Sequence, residues 1–192
     1  MEAIALDLSP IINLTDEQFF QLCQHHRDYR FERTASGEII IMPPTGGETG
    51  KRNAEIAFQL QAWSRQNKLG VAFDSSSCFK LPNGADRSPD AAWIKKERWE
   101  ALTLEEREKF PPISPDFVLE LRSATDSLAT LQAKMREYMD NEVRLGWLLD
   151  RQNGRVEIYR TGKVVEVLQQ PDTLLGEDVL PGFILDLKEI LS

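Results

Sequence analysis

The chain has 192 residues, 41% of them hydrophobic and 28% charged, with a formal net charge of −8. These values describe a soluble globular chain and exclude disorder and bilayer-spanning segments, for which the apolar runs are far too short. The acidic balance also argues against a broad nucleic-acid surface; any such contact would be local, metal-bridged or made by a dimer. The N-terminus lacks a basic region and a cleavage pattern, so no secretory signal is expected. Cys23 and Cys78 form no spacing motif and fit a reducing cytoplasm. One domain over 1–192 is expected: an N-terminal helix and hairpin to 47, a core over 48–150, and a C-terminal hairpin and short helix.

Thr15 opens a helix, with Gln18 placed to complete a capping box. His25 and His26 end it; neighbours on a helix point apart, so they make a poor metal pair. Residues 29–34 and 38–42 read as a hairpin across Ser36-Gly37. The Pro43-Pro44-Thr45-Gly46-Gly47 stretch lacks the Gly-Lys-Ser/Thr ending of a phosphate-binding loop and leads into a helix over 48–67. Ile56, Leu60 and Trp63 form that helix's core stripe, with Glu48, Glu55 and Gln59 on a flank. Short strands follow over 70–73 and 77–81, then a turn at Pro82-Asn83-Gly84. A strand over 87–94 carries Asp90 near its start. The charged segment 95–110 is helix-prone, with Thr103 opening a second piece. Leu102, Leu104 and Phe110 are expected to cover one sheet edge.

The next stretch, Phe117-Val-Leu-Glu-Leu121, reads as a core strand. Alternation puts Phe117, Leu119 and Leu121 on one face, and Val118, Glu120 and Arg122 on the other. A carboxylate in mid-strand is costly to bury unless something pairs with it. Either Arg122 neutralises Glu120 or a metal ion does. Residues 127–141 form an amphipathic helix with Lys134 at the border of its apolar stripe. That lysine either snorkels to water or aims at the carboxylates of the preceding strand. A buried strand over 145–149, a hairpin over 156–160 and 163–168, and a closing helix over 185–191 complete the chain.

Asp90, Glu120, Lys134 and Glu55 together suggest a site. Hard carboxylate oxygens from neighbouring strands suit Mg²⁺, and an adjacent ammonium can stabilise a phosphoryl transition state. Ser88-Pro89-Asp90, the run from Pro115 through Glu120 to Ser123, Asp126 with Lys134 and Tyr138, and Gly146-Trp-Leu-Leu-Asp150 resemble the bacterial Uma family of restriction endonucleases. Gly37-Glu38-Ile39, the segment 42–48 and Leu180-Pro-Gly-Phe183 fit as well. The resemblance spans about residues 19–187. It implies the PD-(D/E)XK nuclease superfamily: an α/β fold with a mixed sheet, restriction-endonuclease-like, with helices on both faces. It assigns Asp90 and Glu120 to metal and catalysis, with Mg²⁺ or Mn²⁺ as cofactor and DNA as substrate. The superfamily's lysine two residues after the second acid is Arg122 here, and arginine does not give up its proton. The lysine of the Uma-like pattern is Lys134, on the next helix. Arg122 and Ser123 are then substrate-binding candidates. Glu55 is the candidate extra acid, ahead of Glu38 and Glu48.

Three functions compete. The first is a metal-dependent DNA endonuclease in the cytoplasm, for which a homodimer would serve double-strand cutting. The second is a catalytically inactive nuclease-fold interaction or regulatory module. The third is a glycosidase, which would need two carboxylates facing each other across roughly 5–10 Å. No separate DNA-reading module is recognisable, so specificity would lie in loops such as 80–87.

Overall fold

The computed structural model describes residues 3–8 and 11–192. A short strand, β1 (Ile4–Leu6), precedes α1 (Asp16–His25), whose capping box between Thr15 and Gln18 is formed. The hairpin β2 (Arg30–Arg33) and β3 (Ile39–Met42) leads into α2 (Gly47–Asn67). Then come β4 (Gly70–Asp74), β5 (Phe79–Lys80), β6 (Asp86–Arg87) and β7 (Ala91–Lys95). Two short helices follow, α3 (Lys96–Glu100) and α4 (Leu104–Glu108). The central unit is β8 (Phe117–Leu121), α5 (Leu128–Asp140) and β9 (Leu145–Asp150). The chain ends with β10 (Arg155–Arg160), β11 (Glu166–Gln169), β12 (Thr173–Leu175), β13 (Ile184–Asp186) and α6 (Lys188–Leu191).

The main sheet has six strands in the order β11-β10-β9-β8-β7-β4, parallel between β8 and β9 and antiparallel elsewhere. The parallel pair requires a crossover, and α5 supplies it. Alternation along β8 divides the core in two. Phe117, Leu119 and Leu121 pack with Ile56, Leu60 and Trp63 of α2 on one face. Val118 packs with Met135 and Tyr138 of α5 on the other. Helices therefore cover both faces, as the sequence leads one to expect.

A second sheet, β1-β3-β2-β6-β5, gathers the N-terminal hairpin. Buried Arg33 on β2 links Asp16 of α1 and Asp86 of β6, each at 2.6 Å. The strand expected over 87–94 is in fact two, in different sheets. The reason is Ser88-Pro89-Asp90: proline has no N–H to give a ladder, and the chain passes there from β6 of one sheet to β7 of the other. The closing helix is shorter than expected because 184–186 pairs with 173–175 as a small hairpin. Leu104 is exposed and covers nothing, whereas Phe110 packs on Phe19 and Phe20 of α1. Both cysteines are free thiols. Among the described residues no helix is long and apolar enough to cross a membrane.

Candidate active site

Ala92 pairs with Val118 and Ala91 with Leu119. Continuing that antiparallel register brings Asp90 opposite Glu120. The Leu121 N–H donates to Asp90 Oδ2 at 2.8 Å, and the Asn53 amide of α2 donates to Oδ1 at 3.0 Å. Asp90 is thus fixed from the neighbouring strand and from the helix above it.

Glu120 is 4% exposed in the middle of the α5 face of β8. Two donors from α5 converge on its Oε1: the Tyr138 hydroxyl at 3.0 Å and the Lys134 ammonium at 2.8 Å. Lys134 and Tyr138 are four residues apart, one turn along the same helix face. Lys134 therefore aims inward. Its ammonium also meets Glu32 Oε1 at 2.7 Å and the Ser88 carbonyl at 3.4 Å.

Glu32 is the residue that reading the sequence missed. It sits on β2, 3% exposed, and accepts from Lys134, from Arg87 Nη1 at 3.0 Å and from the Ser88 N–H at 2.9 Å. Arg87 in turn holds Glu137 of α5 at 2.6 Å. The local signal is thin: the sequence marks 29–34 only as one arm of a hairpin and names no partner for Glu32. Three charged residues in four would have been a clue had their partners been known.

The electrostatics follow from burial and crowding. Glu120's carboxyl is pushed up to about 7 by burial and by the negative charges of Asp90 and Glu32, against the pull of Lys134. Asp90 is raised by burial, opposed by the Leu121 N–H, Lys134, Arg30 and Asn53. Burial alone would raise Glu32 too, but Lys134 and Arg87 outweigh it and hold it below its ordinary value. Lys134 is disfavoured by burial yet ends above its usual range, because Glu120 and Glu32 flank it. Tyr138 is raised well above the ordinary phenol by burial and by Glu120.

The remaining candidates lie around this centre. Glu55 hydrogen-bonds Gln59 at 2.9 Å, and Gln59 is held by the backbone of Asp186. Asn53, about 200° away round α2 at 3.6 residues per turn, is the residue that reaches Asp90. Glu48 pairs with Arg52 on the same helix, and the Glu38 N–H closes the β2–β3 turn onto Thr34. Arg122 does not pair with Glu120. Its Nη1 bonds both oxygens of Asp150, at 3.0 and 3.1 Å, and its Nε bonds the Asp126 carbonyl. The Ser123 N–H donates to Asp126, closing the loop after β8. The 80–87 hairpin is packed rather than free: Leu81, Ala85, Asp86 and Arg87 are buried, and Asn83 is tied to Asn141 and Glu137 of α5.

Among the described residues no group of three or more His, Cys, Asp or Glu side chains is placed to hold a metal ion. Mg²⁺ does not need one, since it commonly takes one or two carboxylates and keeps its waters. The donor set fits that pattern. Both described bonds to Glu120 fall on Oε1, which leaves Oε2 as the oxygen to offer a cation, and each Asp90 oxygen accepts one described hydrogen bond and retains a lone pair. Burial first, and then the charges of Asp90 and Glu32, raise Glu120 to about 7 against Lys134, and a cation beside it would favour its ionised form.

The arrangement is that of a nuclease-type α/β fold. It is similar to the crystal structure of a protein from Anabaena variabilis, described as a putative nuclease belonging to DUF820, with a TM-score of 0.76 and 20% identity over 93% of this chain and 97% of that one. At that identity the likeness is one of fold. No curated protein is a significant match. The Uma2 family model, described as "Putative restriction endonuclease", matches residues 16–188. The chain belongs to the Uma2 family, and Asp90, Glu120, Lys134 and Glu32 all fall within the matched region.

Proposed function

We propose that the protein is a metal-dependent DNA endonuclease of the PD-(D/E)XK type, with Asp90 and Glu120 as metal ligands and Lys134 as the catalytic cation. The supporting observation is that Lys134 Nζ of α5 lies 2.8 Å from Glu120 of β8, while the β7–β8 register carries Asp90 to the position opposite Glu120, where the Leu121 N–H holds it. Mg²⁺ or Mn²⁺ held by Asp90 and Glu120 would lower the pKa of a bound water and offset phosphoryl charge. Lys134 orients the attacking water and donates to the charge that develops on phosphorus-bound oxygen. Tyr138 fixes Glu120 Oε1, and Asn53 with the Leu121 N–H fixes Asp90, so both carboxylates are set before substrate arrives. Arg122 and Ser123, at the end of β8, are assigned to the DNA backbone. Arg122's described bonds use Nε and Nη1, which leaves Nη2 for a phosphate oxygen. No role is assigned to Glu55, which faces Gln59. A homodimer would present two such sites to the two strands.

The alternative, a nuclease-fold interaction module without catalysis, draws on one observation: Lys134 is already engaged by two carboxylates. Cleavage of plasmid and single-stranded DNA with Mg²⁺ or Mn²⁺ decides. Wild type should cut, and Asp90→Ala and Lys134→Ala should not, with melting temperatures retained. Equal cutting by all three would expose a contaminant and overturn the assignment. An inactive wild type that binds no metal by calorimetry would establish the module instead.

A further inference from the structure

One ammonium is shared between two buried carboxylates at nearly equal distance: Lys134 Nζ lies 2.7 Å from Glu32 and 2.8 Å from Glu120. The two acids have different environments. Glu32 belongs to the second sheet and is further bound by Arg87 and the Ser88 N–H. Glu120 belongs to the main sheet and is further bound by Tyr138 through the same oxygen that Lys134 touches. A lysine wholly given to Glu120 would compete with any cation for that carboxylate. A lysine wholly given to Glu32 would no longer sit beside it.

We infer that Glu32 is a positioning residue: it draws the Lys134 ammonium partly off Glu120, keeping Glu120 able to ligate a cation while the lysine stays beside it. The inference rests on the metal-dependent nuclease reading and deepens it. Arg87 and the Ser88 N–H anchor Glu32, so it holds its place when a cation takes Glu120. The Ser88 carbonyl, 3.4 Å from Nζ, adds a neutral acceptor on the same side.

The test is Mn²⁺ binding by calorimetry alongside cleavage kinetics. Glu32→Gln keeps the side chain's shape but removes the charge that shares the ammonium. Lys134 should then fall to Glu120, and apparent Mn²⁺ affinity should drop by at least about threefold, the size of a direct coupling between neighbouring groups. The decisive readout is the cycle with Lys134→Met. Removing the lysine should raise Mn²⁺ affinity more in the Glu32→Gln background than in wild type. In cleavage, Glu32→Gln should lower kcat about tenfold or more while the KM for DNA moves less than about twofold, the pattern of a lost transition-state interaction. Glu32→Asp, which keeps the charge but retracts it, should shift the same quantities in the same direction, and it serves if Glu32→Gln melts early. Unchanged Mn²⁺ affinity, or an equal effect of Lys134→Met in both backgrounds, would overturn the role of Glu32 and leave the nuclease intact. A wild type that neither binds Mn²⁺ nor cuts would remove both.

Discussion

Arg122 and Asp150 close on each other at the ends of the two parallel strands, the arginine's Nη1 lying 3.0 and 3.1 Å from the two carboxylate oxygens. Asp150 is fully buried, and Arg122's side chain is 16% exposed. Breaking such a pair strands a charge in a dry site, at a cost of about 3 kcal/mol. Arg122→Ala should therefore lower the urea midpoint sharply. Arg122→Ala, Asp150→Asn should recover part of that loss, because the neutral amide no longer needs the cation. Full stability in Arg122→Ala alone would show that the pair contributes little.

Glu120 gives the site a pH dependence whose sign can be worked out. Its folded pKa stands at about 7, pushed up by burial, Asp90 and Glu32, with Lys134 of α5 against it. In the unfolded chain it titrates near the ordinary carboxyl value of about 4.3. Between those two values the folded state holds the extra proton, so this group's contribution to stability is full below the unfolded pKa and declines as pH rises to about 7. A cation needs the ionised form. Mg²⁺ affinity should therefore climb with pH and level off above about 7, with proton release on binding. Calorimetry in buffers of different ionisation heat measures that release. An affinity flat between pH 5 and 8 would mean that Glu120 is not a ligand.

Two glycines separate tolerance from rigidity. A Cβ on Gly146 of β9 would lie 2.5 Å from Met135 Cε and 3.1 Å from Met139 Cε, both flexible side-chain ends on α5. Gly146→Ala should cost about 1 kcal/mol as the methionines shift. A Cβ on Gly70 would overlap the Ile94 carbonyl and the Trp93 indole of β7. Backbone cannot yield so readily, and Gly70→Ala should cost about 3 kcal/mol, at the upper end for overpacking. Thermal melts of the two variants give the ordering directly.

The hydroxyl of Tyr138 has one described bond, to Glu120. Tyr138→Phe removes a donor from a buried carboxylate and should cost about 1.5–3 kcal/mol, as hydrogen bonds to charged groups do. Cleavage should fall several-fold, because Glu120 Oε1 is then held by Lys134 alone. A variant as active as wild type would show that Lys134 suffices.

Local chemistry was legible in the sequence, and long-range pairing was not. The strand 117–121 and the helix after it could be read because period two and period 3.6 are written in consecutive residues, and Lys134 could be placed at the edge of the helix stripe. The capping box at Thr15 and the helix opening at Thr103 could be read for the same reason. What closes the site comes from elsewhere. Glu32 depends on β2 docking beside β6, and Asn53 depends on which side of α2 meets Asp90. Neither is set by neighbouring residues. Glu55 looked the better acid because it has the right functional group, yet the turn of the helix gives that place to an amide two residues earlier. Of the two cationic partners that the sequence offered Glu120, Arg122 turns to Asp150, and Lys134, read as aimed at the strand's carboxylates or at water, is the one that reaches it.

Ser88-Pro89-Asp90 is the seam between the two sheets, and Lys134 bonds both a residue of the seam and an acid beyond it. The N-terminal hairpin is thereby inseparable from the chemistry of the main sheet. Among the protein's relatives, positions 32 and 134 should covary: a lineage that neutralises one has no reason to keep the charge of the other, however far apart they stand in the chain.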